Sequence, residues 1–278
     1  MSTQQQNSEE ELRSENDFLK MKLMLERGAE FGNGHSDEMP PEIENQFLKN
    51  IIEFEEQWEQ RKTVKIFEKI GRPDRFKPSN EIPDAEIEEA WSQLDKLLEE
   101  KGIQLSACSP NVTKRELYRF TIEELFEHEM DDIDIPGMFH GFIYDEFYPD
   151  HEYENTKTAV EDCIGVILCK RPMAWTPHFR TENIRLNELN LSTEEEFKKV
   201  VNRFKEAYDE IKIGEITDHH CSINEKQCKV KGNYKIVCRA QSDEIILEGY
   251  WLVEFELSEW GYWYIVNVQI PGIHFLKK

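Results

Sequence analysis

The chain has 278 residues, of which 38% are hydrophobic and 11% aromatic, and its formal net charge is −23 at pH 7. This length and composition are enough for a packed core and two modest domains, which excludes global disorder. The negative charge argues against nucleic acid and against an anionic membrane surface as partners, because their phosphate groups would be repelled.

Residues 1–39 are predicted to be a flexible segment with one short helix. The sequence MSTQQQNSEEELRSEND lacks the basic and apolar regions of a signal peptide, and no apolar run in the chain approaches the roughly 18 residues of a membrane span. Six cysteines without a C-x-x-C pair indicate reduced thiols. We therefore expect a cytoplasmic protein.

The short helix, predicted from Glu9 to Arg27, contains a coiled-coil seam. The seam consists of Leu12, Asn16, Leu19 and Leu23. About two heptads are too few for a stable isolated helix, so we expect this helix to dock on another element or to fray.

Residues 40–147 are predicted to form an all-α helical domain that ends in a junction. After Pro40 and Pro41 comes an amphipathic helix with an apolar face, which consists of Ile43, Phe47, Ile51, Phe54 and Trp58. A second helix, PDAEIEEAWSQLDKLLEEKG, has acidic residues in its first turn and Gly102 just past its end. The sequence TKRE, residues 113–116, has the form of a capping box and begins a third helix.

The junction HEMDDIDIPGMFHGFIYDEFYPDHEYE, residues 128–154, is rich in histidine and acidic residues. If the third helix continues into it, His128 and Asp132 share a face and could hold a metal ion together with His140. Acidic residues at the end of a helix usually just face water, and no H-E-x-x-H motif is present. We interpret the junction as a domain hinge and expect no cofactor; these three residues remain the metal candidates.

Residues 148–278 combine helices with strands. A helix is predicted over 153–170, a second capping box occupies Ser192–Glu195 before another helix, and apolar residues then alternate with polar ones from Ile213 to Ile270. A four-residue loop at 241–244 would pair Ala240 with Ile245. Lys231 would then face Glu254, and Tyr234 would face Trp251.

This register divides the predicted sheet into two faces. The inner face consists of Tyr234, Ile236, Leu247, Trp251, Val253, Phe255, Tyr264, Val266 and Val268. The outer face is charged but also carries the apolar residues Tyr250, Leu252, Trp263 and Ile265. So much apolar surface predicts a homodimer contact, another protein partner, or burial against the N-terminal helices.

The order of these elements, which ends in the aromatic strand pair 247–257 and 262–270 with the sequence WYIVNVQIPG, resembles the nuclear transport factor two-like superfamily. The resemblance covers roughly residues 148–278. It implies an α+β fold in which an N-terminal all-α helical domain precedes a cone-like domain with a curved antiparallel sheet. The whole chain also resembles an uncharacterised group of bacterial proteins, which implies no activity.

Enzymes of this superfamily place an acid/base residue and a hydroxyl donor inside the cone. If a loop of two or four residues sets Ile223 opposite Cys228, His219 points inward opposite Gly232 and close to Tyr234; a loop of three or five residues reverses this. His219 as base and Tyr234 as hydroxyl donor are the candidate catalytic residues, although an inward histidine is more often a hydrogen-bonded core residue. The candidate pocket is lined by Trp251, Phe255 and Tyr264.

The leading interpretation is a non-enzymatic binding or protein-interaction module that uses the cone pocket or the outer sheet face. Its partner would be a protein or a small apolar ligand. One alternative is an isomerase, dehydratase or hydrolase-type enzyme with acid/base residues in the cone. Another is an acidic inhibitor or immunity-type protein that covers a basic partner. A cone filled by Trp251 and Phe255 would argue against the enzyme.

Overall fold

The structure, a computed structural model, describes residues 3–31, 39–174, 176, 178–241 and 243–276. The chain forms two compact units, Met1–Phe147 and Tyr148–Lys278. Helices dominate the first unit and a six-stranded sheet dominates the second, so the fold class is α+β. Among the described helices, none combines the length and the apolar character that a membrane span requires.

The first unit mixes helices with short strands. Its elements are α1 Thr3–Arg27, α2 Pro41–Glu59, β1 Thr63–Lys65, α3 Ile66–Lys69, α4 Ile87–Glu99, β2 Ile103–Ser106, α5 Lys114–Glu123, β3 Glu129–Asp131, β4 His140–Ile143 and α6 Tyr144–Phe147. Strands β1 and β3 pair antiparallel, and β2 and β4 pair parallel. The all-α prediction for this unit is therefore wrong in detail, because paired strands this short and this far apart in sequence leave little local signal.

The helix start predicted at Thr113 is confirmed, with the first of the two hydrogen bonds of a capping box. The side chain of this residue accepts a hydrogen bond from the backbone N–H of Glu116 at 3.2 Å, and α5 begins between them. The helix ends at Glu123, however, and a single 3₁₀ turn leads into β3. His128 and Asp132 consequently do not share a helical face.

Helices α1 and α2 pack side by side. Glu15 pairs with Lys49 at 2.9 Å, and Arg27 pairs with Glu59 further along. Leu23 and Leu48 are buried. The N-terminal helix is thus docked on another helix, one of the two outcomes expected of so short a seam.

A polar layer is buried between α1 and α2. Asn16 donates from Nδ2 to the carbonyl of Pro41 at 2.9 Å and to the carboxylate of Glu44 at 3.0 Å. Asn45 donates to Oδ1 of Asn16 at 2.8 Å, and Lys20 approaches Glu44 at 2.5 Å. A buried asparagine in a helical seam fixes register at some cost in stability, so we interpret this layer as the feature that sets how α1 lies on α2.

The stability of this contact should depend on pH through Glu44. Burial raises the pKa of Glu44, but hydrogen bonds from Lys20 and Asn16 outweigh burial and hold the pKa below its ordinary value. The carboxylate therefore contributes stability above the ordinary glutamate pKa, and that contribution is lost as the pH falls through the lowered folded-state pKa. We expect Glu44→Gln to lower the free energy of unfolding by about 1–2 kcal/mol near neutral pH and by less in acid. Urea unfolding of both proteins over this pH range tests it, and a loss independent of pH would contradict it.

The second unit is built on one mixed sheet. Its elements are α7 His151–Lys157, a π-helical segment Thr158–Gly165, α8 Val166–Leu168, β5 Glu182–Leu186, β6 Leu189–Thr193, α9 Glu194–Glu206, β7 Glu210–Asn224, β8 Gln227–Ala240, β9 Asp243–Leu257 and β10 Trp263–Gln269. The strand order is β6-β5-β10-β9-β8-β7, with β5 and β10 parallel and the other pairs antiparallel. One core joins the inner face of the sheet to the π-helical segment, α8 and α9.

The β8–β9 register differs from the prediction by two residues. Ala240 pairs with Asp243 rather than with Ile245, so Lys231 faces Leu252 and Tyr234 faces Gly249. A shift of two keeps every β8 and β9 residue on its predicted face, because side chains alternate with period two. Lysine and glutamate still pair across β8 and β9 on the outer face, as the contact of Lys229 with Glu254 at 2.7 Å illustrates.

A β-bulge in β10 changes which of its residues face inward. Ile265 pairs with Phe255 and Asn267 pairs with Glu254, so Val266 is the extra residue. Ile265, Val266, Asn267 and Val268 are all buried, while Tyr264 is half-exposed. The predicted inner position of Tyr264 and outer position of Ile265 are therefore wrong, because Tyr264 pairs with the outward-facing Glu256 and Ile265 with the inward-facing Phe255, a register one residue away from the one that the predicted faces require.

Helix α9 begins one residue later than the capping box predicted from Ser192 indicated. Thr193, not Ser192, is the N-cap, and its side chain accepts from the backbone N–H of Glu196 at 3.2 Å. The carboxylate of Glu196 accepts in return from the backbone N–H of Ser192 at 2.8 Å. The predicted capping chemistry is therefore present, displaced by one position.

Candidate functional site

The interior of the sheet domain is filled with side chains. Trp251 and Phe255, two of the predicted pocket residues, are 0% and 1% exposed. The indole of Trp251 donates to the carbonyl of Asn233 at 3.1 Å. A Cβ added at Gly232 would lie 2.6 Å from the Trp251 ring and 1.7 Å from the carbonyl oxygen of Thr217. The space expected beside this glycine is therefore occupied by the tryptophan and the neighbouring strand.

The structure places the two candidate catalytic residues in different environments. The two-residue β7–β8 loop sets Ile223 opposite Cys228, as one of the predicted registers requires. A bulge between Asp218 and His220 then interrupts the pairing, and Asp218, rather than His219, lies opposite Gly232. His219 is exposed.

Tyr234, in contrast, is buried. Its hydroxyl donates to the carbonyl of Pro271 at 3.0 Å. Burial, with a smaller effect of the nearby Cys238 thiol, raises the pKa of Tyr234. A catalytic role for His219 and Tyr234 stays a prediction, for which this geometry provides no shared site.

The third predicted pocket residue, Tyr264, lies on the outer side of the sheet. It lines a surface depression of about 360 Å³ together with Arg180, Thr181, Glu256, Leu257 and Ser258. A larger depression, about 570 Å³, lies between the β5–β6 turn and the C-terminal segment 269–276. Another of about 570 Å³ is lined by Glu215, Asn233, Tyr234, Lys235 and the segment 248–250. Neither of these larger depressions includes Trp251, Phe255 or His219.

The three metal candidates make separate contacts. His128 packs edge-on against the rings of Phe142 and Phe147. Asp132 pairs with Lys69 at 2.6 Å. The Nε2 atom of His140 donates to the carbonyl of Ile133 at 3.0 Å. Within the described residues, no group of three or more His, Cys, Asp or Glu side chains is arranged to hold a metal ion.

A polar cluster that the sequence did not single out lies where α7 meets the sheet. Nδ1 of His151, Nδ2 of Asn155 and Nε1 of Trp263 are buried there; Nδ1 of His151 lies 3.5 Å from a carboxylate oxygen of Glu154, and the Trp263 nitrogen has no hydrogen-bond partner among the described residues. The rings of His151 and Trp263 meet edge-on, with centroids 5.8 Å apart. Residues 151 and 155 share a helical face through their spacing of four, which is the one sequence signal that could have grouped them.

Two thiols lie beside this cluster. The sulfur atoms of Cys221 and Cys228 are 3.6 Å apart. Burial is the main cause that raises the pKa of Cys228 to about 12, and the neighbouring Cys221 thiol adds to it. A hydrogen bond with Asn155 lowers this pKa by a smaller amount. Because the thiolate is the reactive form, Cys228 is a core thiol rather than a nucleophile near neutral pH.

The predicted apolar patch on the outer sheet face is smaller than expected. Tyr250 is 57% exposed and Leu252 is half-buried, as an outer position requires. Ile265 is fully buried and Trp263 packs against the inner core, so these two residues are not available on the outer face. A homodimer through this face stays a prediction that now depends on two of its four residues.

The exposed apolar surface is prominent on α2 instead. Helix α2 buries Pro41, Glu44, Asn45 and Leu48. Its apolar face, which we call the α2 seam, consists of Ile43, Phe47, Ile51, Phe54 and Trp58. Ile43 and Phe47 are 58% and 57% exposed, Trp58 is exposed, and Ile51 and Phe54 are half-buried. The helix thus leaves much of its strongest apolar stripe in solvent, whereas such a stripe ordinarily packs against a core.

No protein-family model and no curated protein matches the chain. Similar solved structures include the Kfla4162 protein from Kribbella flavida, with 10% identity and a TM-score of 0.35 over 45% of this chain and 95% of that one. A nuclear transport factor 2-like superfamily protein from Salmonella enterica has 11% identity and a TM-score of 0.33 over 45% and 93%. A Shewanella frigidimarina protein provisionally assigned as a ketosteroid isomerase has 14% identity and a TM-score of 0.29 over 33% and 74%. These neighbours are of the kind that the sequence resemblance implies, over less than half of this chain.

Proposed function

We propose that this protein is a non-enzymatic protein-interaction module and that the α2 seam is its contact surface. The observation that carries the proposal is the exposure of Ile43 and Phe47, 58% and 57%, on a strongly amphipathic helix. Contiguous exposed apolar surface with a polar border is typical of a site where another protein binds. This proposal keeps the binding module that the sequence predicts. It assigns the contact surface to α2 instead of to the cone pocket or the outer sheet face.

The packing of the sheet domain supports a role outside the cone. An acid/base enzyme needs a base, a hydroxyl donor and space for a substrate to converge on one point. Here Trp251 and Phe255 fill the interior, the Tyr234 hydroxyl is hydrogen-bonded to Pro271, and His219 is exposed. The enzyme alternative depends on analogy with neighbours of the same fold, and fold alone does not carry function.

The test compares two double substitutions that are matched in residue type and exposure. Ile43→Ser with Phe47→Ser changes the α2 seam, and Ile246→Ser with Tyr250→Ser changes side chains that are 56% and 57% exposed on the outer sheet face. Because all four side chains are largely in solvent, both variants should fold, which circular dichroism checks. Wild-type protein and the sheet variant should retain a stoichiometric partner from a lysate of the source organism, and the seam variant should release it. Retention by the seam variant, loss in the sheet variant, or no retained partner for any of the three proteins would contradict the proposal.

A further inference from the structure

The negative charge of the protein is concentrated in the unit that carries the α2 seam. Residues 1–147 contain 35 acidic and 17 basic residues, whereas residues 148–278 contain 22 and 17. The excess charge therefore accompanies the exposed apolar surface. A charged surface of one sign attracts partners of the opposite sign and repels those of its own.

The charges on α1 and α2 are not balanced within the pair. All five basic residues of the two helices lie in ion pairs with their acidic residues: Arg13 with Glu9, Lys20 with Glu44, Lys22 with Glu26, Arg27 with Glu59 and Lys49 with Glu15. Seven carboxylates of the pair have no described basic side chain at ion-pair distance: Glu10, Glu11, Asp17, Glu42, Glu53, Glu55 and Glu56.

These carboxylates border apolar side chains. Glu53 and Glu55 lie on either side of Phe54 in α2, and Glu11 lies one heptad before Phe18, which is 65% exposed on α1. An acidic border around an apolar stripe complements a helix that has an apolar stripe and basic flanks. A second copy of this chain would bring another seven such carboxylates to the contact, so the charge disfavours self-association through the seam.

The spacing of the seam fits a helix. Its residues follow at intervals of four, four, three and four, which is the pattern of a helix-on-helix contact. From Ile43 to Trp58 the seam spans about four turns, or roughly 22 Å. The guanidinium of Arg61 already lies 4.1 Å from the centre of the Trp58 ring, so a cation packs on this aromatic surface within the chain itself.

From these observations we infer that the occupant of the α2 seam is a basic amphipathic helix of a partner protein. This inference rests on the proposed function and adds the chemistry of the partner. Apolar side chains of the partner helix would lie on Phe47 and its neighbours in the seam. Its lysine or arginine side chains would lie against Glu53 and Glu55, the two unpaired carboxylates that flank the stripe at Phe54.

The probe is a synthetic 18-residue peptide of leucine and lysine with leucine at heptad a and d positions, titrated into the full chain by calorimetry. The control peptide has glutamate in place of lysine. We expect the lysine peptide to bind, the glutamate peptide to bind at least about tenfold more weakly, and the lysine peptide to weaken about tenfold between roughly 50 and 300 mM salt.

Protein variants separate specific docking from general attraction between opposite charges. Ile43→Ser with Phe47→Ser should weaken the lysine peptide about tenfold although no charge is changed. Glu53→Gln with Glu55→Gln should weaken it, whereas Glu88→Gln with Glu89→Gln, a pair of exposed glutamates in the first turn of α4, should not.

Several results would overturn the inference: no binding of the lysine peptide, equal binding of both peptides, equal loss in the two glutamine double variants, or no loss in the seam variant. Sedimentation of a dimer that the seam variant abolishes would identify a second copy as the occupant. If a lysate partner depends on the seam but the lysine peptide does not bind, the proposed interaction function is retained. The inference that the partner helix is basic is then wrong.

Discussion

Replacement of Gly232 by alanine is expected to destabilise the C-terminal unit by about 4 kcal/mol or more. The added Cβ would lie 1.7 Å from the carbonyl oxygen of Thr217 and 2.6 Å from the ring of Trp251. The first neighbour is backbone in the adjacent strand β7, and the second is a fully buried side chain. Neither can move without separating the strands or expelling the tryptophan, so the methyl group cannot be accommodated by a side-chain rotation.

Gly141→Ala is the control for this substitution. Gly141 also lies in a strand, and a Cβ built there would have no neighbour within 4 Å. We expect it to change the stability of its unit by less than about 1 kcal/mol. Near-ultraviolet circular dichroism and urea unfolding measure both variants. A Gly232→Ala protein with native tryptophan signals and an unchanged midpoint would show that β7 and β8 are less closely packed than described.

Lys205→Met is expected to lower the free energy of unfolding by about 2–3 kcal/mol. Lys205 in α9 is only 2% exposed, and burial lowers the pKa of its amine. The Nζ atom donates to the carbonyls of Val166, the first residue of α8, at 2.7 Å and of Arg171, beyond its end, at 2.6 Å. Methionine preserves most of the volume, so the expected loss arises from the two carbonyl oxygens that lose a charged donor.

The matched control is Lys199→Met in the same helix, where the lysine is exposed. Removal of an exposed lysine should change stability by less than about 0.5 kcal/mol. Urea unfolding monitored by tryptophan fluorescence compares the two variants. An unchanged midpoint for Lys205→Met would mean that relief from burying the ammonium offsets the lost hydrogen bonds, and the role assigned to Lys205 would be wrong.

Local sequence patterns predicted the elements whose signals are local. The helix start at Thr113 and the alternation along β8 and β9 both appear in the structure, because hydrogen bonds at a helix start and side-chain alternation involve only near neighbours. The inner positions of Trp251 and Phe255 followed from that alternation, and they remained correct even though the loop length was wrong by two.

The candidate site was predicted less well, because its geometry depends on interruptions of the pattern. The bulge between Asp218 and His220 places Asp218, not His219, opposite Gly232, and a one-residue difference in the β9–β10 register turns Ile265 inward. A one-residue change in a strand or loop carries no reliable local signature, and it reverses the faces of the residues beyond it. Catalytic assignments that depend on a strand face are therefore lost at the first bulge.

The sequence by itself determined that α2 is amphipathic and which residues form its apolar stripe, since this follows from the period of the helix. Only the tertiary structure decided which side of α2 is covered. Helix α1 packs on the side that carries Glu44 and Asn45, where Asn16 and Lys20 satisfy their polar groups. The polar groups of this layer are satisfied only when both helices are in place, and Ile43 and Phe47 on the other side of α2 remain exposed.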